Sequence, residues 1–582
     1  MTIPTENMNM LWSGLIVDEL IRQGIDYFCL SPGSRSTPLT TAVARHKMAR
    51  KIVIYDERSA AFHALGFARA TGKPAVLVCT SGTAAANYLP AIIEARQENV
   101  PLIVLSADRP PELRDSGANQ TIDQIKLFGS YVRWFFDLPT PTTALPPSFV
   151  LGRVDRLVHK AFGPPAGPVH LNVMLREPLA PEVQPFPQKY TDRLAWRENS
   201  RAPQTRLASV EHLPTESTLK EVREIVQSTA RGLVIVGGLP STVDRTAIVR
   251  CLNRLGWVTL ADVTSGLRLG YDWQGFVPHL DLLLTDGSLR FDTVLHLGER
   301  YVSKRLMLHL QKHPPKTYLR VSVSDHWIDP AQTMTHLVQA SPEAFCRLLA
   351  DALSPDAGSH FVRDLRQRSD EVERLLALRF DASEINQIAL ARMIASEIPA
   401  GHGLFLANSL SVREVDMFAQ RLHGPVMMTA NRGASGIDGN ISTAAGLVAG
   451  LEQPGTLLIG DLAFLHDLNA LSLLRHLKRP LVIVLVNNGG GGIFHWLPIA
   501  RFEDVFETYF ATPHAFTFEA SARQFQLNYW QPDSLQSLRR AYREALKKEG
   551  SSLIEVRTDR RKNATLYRQL LEAIAAQNGE KA

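Results

Sequence analysis

An aspartate and a pair of asparagines, one α/β repeat apart, have the residue types and spacing of a metal site. Asp461 follows one apolar segment and Asn487 and Asn488 follow the next, so that Asp461 and Asn488 are 27 positions apart. If a helix joins two neighbouring parallel strands here, these side chains meet at the carboxyl edge of the sheet, where open α/β sheets bind ligands. A carboxylate, an amide oxygen and a backbone carbonyl, such as that of Gly490, are hard donors. They suit Mg²⁺, which needs few protein ligands when a diphosphate supplies further oxygens.

Two other interpretations of this segment remain open on sequence grounds. Asp461 could cap a helix while the glycine-rich stretch after Asn488 forms a simple turn. A dinucleotide-binding glycine loop is a further alternative, but it would need a glycine where Phe494 stands. Asp461 and the Asn487-Asn488 pair occur together at this spacing, which favours the metal and diphosphate interpretation.

Glu57 is the second candidate for chemistry, because it stands where a predicted strand passes into a predicted helix. A lone glutamate at a helix start is most often an exposed carboxylate that the helix dipole stabilises. The segment that follows, Arg58–Thr71, is rich in small residues, which predicts a surface for close helix packing. We interpret His63 as part of that helix face.

Short apolar runs alternate with amphipathic segments along the chain, which predicts buried parallel strands covered by helices. The predicted strands of the first third are Tyr27–Leu30, Lys51–Tyr55, Ala75–Cys79 and Pro101–Ser106. Those of the middle third are Gly232–Gly238, Val258–Ala261 and Thr293–Leu297. Those of the last third are Gly403–Ala407, Pro425–Thr429, Thr456–Gly460, Pro480–Val486 and Ser552–Arg557. We expect an α/β fold of three doubly wound parallel-sheet domains, at residues 1–185, 215–357 and 380–582.

The composition argues against several functional classes. A formal net charge of +5 over 582 residues, without a dense basic run, makes a nucleic-acid surface improbable. The N-terminus lacks the pattern of a secretory signal, and no apolar run approaches the roughly 18 residues of a membrane span, so we expect a cytoplasmic protein. The four cysteines lack metal-site or redox spacing, which predicts buried reduced thiols.

Gly460-Asp461 and Asn487-Asn488 together resemble the diphosphate and Mg²⁺ motif of thiamine diphosphate (ThDP) enzymes. That motif usually reads GDG and then NN. Here Leu462 replaces the final glycine. Further segments narrow the resemblance to the 2-succinyl-5-enolpyruvyl-6-hydroxy-3-cyclohexene-1-carboxylate synthases of menaquinone and phylloquinone biosynthesis, in which GDL is usual. These segments are SPGSRSTPL from Ser31, ADRPPEL from Ala107, GANQ from Gly117 and NRGASGIDG from Asn431. The resemblance covers the first and last thirds, and the middle third mainly at Ser303-Lys304-Arg305.

The resemblance implies a fold of the ThDP-dependent decarboxylase type. Residues 1–185 would bind the cofactor's pyrimidine and residues 380–582 its diphosphate and Mg²⁺ or Mn²⁺, on either side of a central α/β domain at 215–357. Glu57 would be the catalytic residue, hydrogen-bonded to N1′ of the aminopyrimidine. The implied cofactor contacts are Glu57, Ile437, Asp461, Asn488 and Gly490, of which the last three would also bind the metal.

The implied reaction is decarboxylation of 2-oxoglutarate followed by 1,4-addition of the resulting succinic semialdehyde carbanion to isochorismate. These substrates carry several carboxylates, which planar guanidinium groups bind well. Ser409 and Arg413 are four positions apart, so on a helix they face the same way. Their position in the resemblance implies contact with the distal carboxylate of 2-oxoglutarate. The matched substrate positions are Ser34, Arg35, Arg109, Asn119, Gln120, Lys304, Arg305, Ser409, Arg413, Arg432, Ile493, Phe494 and Leu497.

Alternatives to these assignments remain. Any single arginine could form a surface ion pair, and the apolar positions could belong to the core. Other ThDP-dependent 2-oxo-acid decarboxylases and acetohydroxyacid synthases generally carry GDG and lack the four segments. A non-catalytic protein of this fold would not be expected to keep Glu57, Asp461 and Asn488 together. The resemblance also implies a homodimer or homotetramer with active sites between subunits, small-molecule substrates only, and no membrane span.

Overall fold

The computed structural model describes residues 5–354, 359–382, 384–420 and 424–579. Three sheets of parallel strands, with helices between most successive strands, form its architecture, which confirms the predicted fold class. The four cysteines are buried and free, as predicted. Within the described ranges, no helix is both long enough and apolar enough to cross a membrane.

The first sheet consists of β1 (Tyr27–Leu30), β2 (Arg50–Val53), β3 (Ala75–Cys79), β4 (Leu102–Asp108), β5 (Phe135–Leu138) and β6 (Pro168–Met174). Its strand order is β2-β1-β3-β4-β6-β5. Its helices are α1 (Met8–Arg22), α2 (Thr37–Arg45), α3 (Glu57–Thr71), α4 (Thr83–Ala86), α5 (Leu89–Gln97), α6 (Pro147–Phe162), α7 (Gln188–Asp192) and α8 (Trp196–Asn199). The central strands β3 and β4 are buried throughout, as in sheets covered on both faces. The prediction of β2 as a buried strand is wrong, because β2 pairs only with β1 and its edge is largely exposed.

The second sheet consists of β7 (Gly232–Val236), β8 (Val258–Ala261), β9 (Thr293–Leu297), β10 (Thr317–Val321) and β11 (His336–Val338). Its strand order is β11-β10-β9-β7-β8. Its helices are α9 (Glu216–Ser228), α10 (Arg245–Leu255), α11 (Leu280–Leu283), α12 (Lys304–Lys312), α13 (Pro342–Ala352) and α14 (His360–Phe380). β10 was not predicted, because Arg320 interrupts its apolar run. That side chain is fully buried, and its Nη2 atom lies 3.1 Å from a carboxylate oxygen of Glu299.

The third sheet consists of β12 (Gly403–Leu406), β13 (Met427–Thr429), β14 (Gly455–Gly460), β15 (Leu481–Asn487), β16 (Asn528–Trp530) and β17 (Ser552–Arg557). Its order, β13-β12-β14-β15-β17-β16, repeats that of the first sheet. Its helices are α15 (Gln387–Glu397), α16 (Leu410–Phe418), α17 (Asn440–Leu451), α18 (Asp461–His466), α19 (Glu503–Phe506), α20 (Glu519–Gln524), α21 (Leu535–Ala545) and α22 (Arg560–Gly579). The single helix predicted between β14 and β15 is instead the short α18 followed by a 3₁₀ segment, Leu468–His476.

The chain divides into two compact units. One contains the first sheet together with Ile441–Leu451 and Asn469–Leu477, and the other contains the second and third sheets. The domain boundaries at 1–185, 215–357 and 380–582 stay predictions, and their ends at residues 1, 357 and 582 lie outside the described residues.

Within the first of these units, α3 and α17 approach each other backbone to backbone. A Cβ atom at Gly66 would lie 2.0 Å from the Thr443 carbonyl oxygen, and one at Gly446 would lie 1.9 Å from that of His63. Only glycine fits such a crossing. The close packing surface predicted from the small residues of α3 is therefore confirmed.

Candidate active site

Each six-stranded sheet has a switch point between two adjacent strands. From one of these strands the chain continues to a neighbour on one side of the sheet, and from the other it continues to a neighbour on the opposite side. Ligands of α/β proteins bind outside the carboxyl ends of the strands at such points. In the first sheet the switch lies between β1 and β3, which are followed by Arg35 and Ser81. In the third sheet it lies between β12 and β14, which are followed by Ser409 and Asp461. The predicted residues thus lie at both switch points.

Asp461 connects the ends of β14 and β15. Its side chain is almost completely buried, and Oδ1 accepts a 2.7 Å hydrogen bond from the Leu462 N–H. Oδ2 accepts the backbone N–H groups of Asn488 at 3.1 Å and Gly490 at 3.0 Å. Burial raises the pKa of Asp461, although the N–H groups of Gly490 and Leu462 oppose the shift. The helix-cap alternative is wrong, because Gly460 holds the capping position of α18.

The oxygens around this carboxylate fit a divalent cation. Asn488 Oδ1 is buried and has no hydrogen-bond partner among the residues that the structure describes. Buried polar atoms are normally paired, so an orphan acceptor beside a carboxylate fits a metal ligand. The Gly490 carbonyl accepts the Gly492 N–H at 3.0 Å and keeps a second lone pair. One carboxylate, one amide oxygen and one carbonyl suit Mg²⁺ that also binds a diphosphate.

The glycine loop that follows Asn488, Gly489–Gly492, is held in place by residues that the sequence analysis did not identify. Gly490 has φ +141°, and a Cβ atom there would lie 2.2 Å from the Ala511 carbonyl oxygen. That same oxygen accepts the Gly491 N–H at 2.7 Å. The Gly489 carbonyl accepts hydrogen bonds from His514 N at 3.2 Å and Arg560 Nη1 at 2.9 Å. These contacts join segments distant in sequence, and no local pattern marks them.

Ser409 and Arg413 lie on the same side of α16, as their spacing predicted. Ser409 precedes the helix with φ +75°, a conformation that is uncommon for residues other than glycine. Arg413 Nη1 donates a 2.6 Å hydrogen bond to the Ser409 carbonyl. Burial and the nearby Arg432 charge lower the pKa of Arg413 to about 10, against the opposing charge of Asp416.

Arg432 completes a pair of guanidinium groups at this edge of the third sheet. Its Nη1 donates a 2.7 Å hydrogen bond to Asn408 Oδ1. Within the described ranges, neither Arg413 nor Arg432 forms an ion pair with a carboxylate, so the surface ion-pair alternative fails for both. Two neighbouring cations that bond only to neutral acceptors can bind an anion.

The first sheet carries a second pair of buried cations. Arg35 Nη1 donates to the Leu175 carbonyl at 3.0 Å, and its Nη2 lies 3.2 Å from a carboxylate oxygen of Glu177. Arg109 donates to the Ser81 hydroxyl and, at 2.6 Å, to the Asn119 carbonyl. Burial and the Arg109 charge lower the pKa of Arg35, which outweighs the opposing carboxylates.

The polar candidates of the first sheet are exposed beside these arginines. Ser34 and Asn119 are exposed, and Asn119 meets Arg109 through its backbone carbonyl. Gln120 is exposed with φ +56°, and its Nε2 donates a 3.0 Å hydrogen bond to the Ser81 carbonyl. The structure thus brings Ser34, Arg35, Arg109, Asn119 and Gln120 to one edge of this sheet.

Glu57 is the first residue of α3, and it follows β2 at the same edge of the sheet. Asp56 caps the helix by accepting the Ser59 N–H at 3.1 Å, which leaves the Glu57 carboxylate unused for capping. Glu57 is half-buried and makes no hydrogen bond or ion pair with another residue of the described ranges. Its carboxylate is therefore available to a ligand.

Lys304 and Arg305 begin α12, after the carboxyl end of β9. Lys304 is exposed, whereas Arg305 forms an ion pair with Asp281 and donates a 2.9 Å hydrogen bond to the Tyr567 hydroxyl. Burial lowers the pKa of Arg305, but Asp281 and Tyr567 outweigh it and raise that pKa above its ordinary value. Arg305 thus already has an anionic partner, unlike Arg413.

The four apolar candidates are outside the core. Ile437 and Leu497 are 39% and 38% exposed, respectively. Ile493 and Phe494 are half-buried in a 3₁₀ turn, and the Phe494 ring packs edge-on against Phe510 at 5.8 Å. Their exposure fits a wall around a ligand better than the core alternative.

Family profiles match most of the chain. The profile described as "Thiamine pyrophosphate enzyme, N-terminal TPP binding domain" matches residues 11–127. The "Middle domain of thiamine pyrophosphate" profile matches residues 188–406. The profile described as "Thiamine pyrophosphate enzyme, C-terminal TPP binding domain" matches residues 415–556.

Curated relatives are similar over nearly the whole length. A protein of Rubrobacter xylanophilus, named 2-succinyl-5-enolpyruvyl-6-hydroxy-3-cyclohexene-1-carboxylate synthase, is 45% identical over 98% of this chain and 99% of its own. Proteins with the same name from Prosthecochloris aestuarii and Salinibacter ruber are 43% and 44% identical. Those alignments cover 98% and 97% of this chain, and 98% and 96% of the relatives.

Proposed function

The chain belongs to the 2-succinyl-5-enolpyruvyl-6-hydroxy-3-cyclohexene-1-carboxylate synthase family of ThDP enzymes, and from this membership we infer its reaction. It is a transferase of menaquinone biosynthesis that decarboxylates 2-oxoglutarate and joins the remaining four-carbon unit to isochorismate by 1,4-addition. The products are CO₂ and the compound for which the family is named.

The structural observation that best supports this inference is the position of the Arg413 and Arg432 pair. Neither cation forms an ion pair with a carboxylate in the described part of the chain, and both follow strands of the sheet that also carries Asp461 and Asn488. A decarboxylase of a dicarboxylic 2-oxo acid needs such a site for the carboxylate that is retained. Arg413, with Ser409, is assigned to this distal carboxylate, and Arg432 to the same anionic region.

Asp461, Asn488 and the Gly490 carbonyl would hold Mg²⁺ or Mn²⁺, and the metal would hold the cofactor diphosphate. The buried, unpaired Asn488 Oδ1 supports this assignment. Bound ThDP supplies the nucleophilic carbon and the electron sink that loss of CO₂ requires. Ile437 is assigned to the surface beneath the cofactor, where its exposed side chain would support the bend between the two rings.

Glu57 would exchange a proton with the N1′ atom of the cofactor pyrimidine. Its half-buried carboxylate has no hydrogen-bond or ion-pair partner among the residues that the structure describes and does not cap α3, which supports this role. A carboxyl group can both donate and accept a proton at that nitrogen, whereas an amide cannot.

The remaining assignments concern the second substrate and the walls of the cavity. Isochorismate carboxylates are assigned to Arg35 and Arg109, whose charges are partly buried at the first switch point. The supporting polar and cationic residues are Ser34, Asn119, Gln120, Lys304 and Arg305. An apolar wall of Ile493, Phe494 and Leu497 would exclude water and favour loss of CO₂, because decarboxylation removes charge from the carboxylate.

A homodimer is the proposed minimal active unit, with a tetramer as the larger alternative. Glu57 lies in the predicted domain at residues 1–185, and Asp461 lies in the predicted domain at residues 380–582. The family resemblance supports a shared site, in which one chain supplies Glu57 and another chain supplies Asp461.

Product analysis tests the proposed function. The purified protein is incubated with ThDP, Mg²⁺, 2-oxoglutarate and isochorismate, and the products are identified by mass. The expected product retains the whole of isochorismate and gains four carbons. Controls omit ThDP or isochorismate in turn. Release of CO₂ with no isochorismate adduct would instead indicate a simple 2-oxo-acid decarboxylase.

A further inference from the structure

We propose that Asn408 is a positioning residue, which holds Arg432 beside Arg413 and so completes the anion site of the third sheet. This inference rests on the proposed function, because that function assigns a substrate carboxylate to the site. Asn408 follows β12 and immediately precedes Ser409, and its side chain is 2% exposed. It acts through Arg432 and does not itself contact the substrate.

The Asn408 side chain makes three short hydrogen bonds with one loop. Nδ2 donates to the carbonyl oxygens of Asn431 at 2.7 Å and Gly436 at 2.6 Å, while Oδ1 accepts Arg432 Nη1 at 2.7 Å. A single carboxamide therefore fixes the backbone on both sides of Arg432 and the direction of its guanidinium group.

The loop needs such support because it is irregular. Ser435 and Gly439 have φ values of +62° and +63°, and the loop lies between β13 and α17. A second buried asparagine, Asn440, donates to the carbonyl oxygens of Ile437 at 2.6 Å and Asp438 at 3.3 Å. Asn408 supports the part of the loop that carries Arg432, and Asn440 supports the part of the loop that carries Ile437.

The chemistry of the carboxamide also preserves the charge of the site. A carboxylate at position 408 would accept the same hydrogen bond, but it would neutralise Arg432 as an ion pair. Asn408 and the Ser409 carbonyl are neutral acceptors, so each arginine is oriented while its charge stays available. Asn408 thus links the orientation of Arg432 to the end of the element that carries Ser409 and Arg413.

A double-mutant cycle tests this role. The kcat/KM for 2-oxoglutarate, with isochorismate saturating, is measured for the wild type, Asn408→Ala, Arg432→Ala and the double variant. We expect Asn408→Ala to lose about tenfold or more, as for a charge-assisted contact, mainly through a raised KM. The double variant should be within about twofold of Arg432→Ala, because the two residues act as one unit. Losses that multiply would overturn the proposal.

Asn7→Ala is the matched control for loss of a buried carboxamide. Asn7 is also 2% exposed, donates to two backbone carbonyls and accepts one hydrogen bond, but it caps α1. It should lower the melting temperature with unchanged kcat/KM. If Asn408→Ala does not fold, Asn408→Asp replaces it, with an expected rise of about tenfold in KM, and an unchanged KM would overturn the role. A wild-type protein without synthase activity would overturn the proposed function and this inference together.

Discussion

The carboxylate of Asp461 accepts a 3.0 Å hydrogen bond from the backbone N–H of Gly490, across the gap between the ends of two adjacent strands. This bond places the carboxylate beside the carbonyl-rich glycine loop, in which Asn488 Oδ1 is left without a partner among the described residues. The arrangement unites the three proposed metal donors without any need for a cluster of acidic side chains.

Substitution of Asp461 by Ala should weaken ThDP binding through the metal. The change removes the only anionic donor proposed for the metal. The apparent Mg²⁺ affinity should therefore fall by more than about tenfold, because loss of a residue that only supports a metal ligand already costs about this much. Calorimetric titration of ThDP with and without Mg²⁺ measures the effect. Asp533→Ala removes the same charge from an exposed position and serves as the control. Metal-dependent affinity equal to that of the wild type would remove Asp461 from the site.

Substitution of Glu57 by Gln should leave the fold intact and abolish most activation of the cofactor. The amide keeps the shape of the side chain but cannot exchange a proton with N1′. Hydrogen–deuterium exchange at C2 of bound ThDP reports this step directly. We expect slower exchange by at least about a hundredfold, the lower range of general acid–base contributions. Exchange at the wild-type rate would refute the assigned role.

Mixing two inactive variants tests whether subunits share the site. In a dimer with shared sites, a Glu57→Gln chain and an Asp461→Ala chain would together form one intact site and one doubly altered site. We therefore expect activity to return when the two proteins exchange subunits, to about half that of the wild type in the heterodimer fraction. Verified heterodimers without activity would argue that each chain builds its own site.

Substitution of Arg413 by Ala should impair the use of 2-oxoglutarate far more than that of pyruvate, which lacks the distal carboxylate. A charge-assisted contact is worth roughly 1.5–3 kcal/mol, so kcat/KM for 2-oxoglutarate should fall about ten- to a hundredfold. Ser409→Ala should have a smaller effect of the same kind, because it removes a neutral group. Arg250→Ala, on an exposed face of α10, is the control. An equal loss for both substrates would indicate a structural role or a contact with isochorismate.

Glu414, next to Arg413, should make stability depend on pH. Burial raises its pKa to about 8 from an ordinary value of 4.5, while a 3.1 Å hydrogen bond from Asn563 opposes the shift. The folded state therefore holds a proton that the unfolded state releases, so its contribution to the free energy of unfolding falls as pH rises from about 4.5 to about 8. Glu414→Gln mimics the protonated acid and should unfold at a higher temperature than the wild type at pH 8. A difference in melting temperature between the two proteins that stays the same from pH 5 to pH 9 would contradict this.

Local sequence determined the elements and the chemical identity of the groups. Val258–Ala261 and Thr293–Leu297 have their predicted bounds, because continuous apolar runs of this length form buried strands of parallel sheets. The shared orientation of Ser409 and Arg413 follows from the period of a helix. The spacing of Asp461 and Asn488 placed them at neighbouring strand ends, because one helical return separates adjacent parallel strands.

Tertiary structure alone decided the partners of these groups. It exposed β2 as an edge strand, paired Arg305 with Asp281, and left Arg413 and Arg432 without an ion pair in the described ranges. It also joined Asn408 to a loop 23 to 28 positions away. Strand order and contacts of this range depend on how separate segments pack, whereas the periodicity of a sequence records only which residues share a face of one segment.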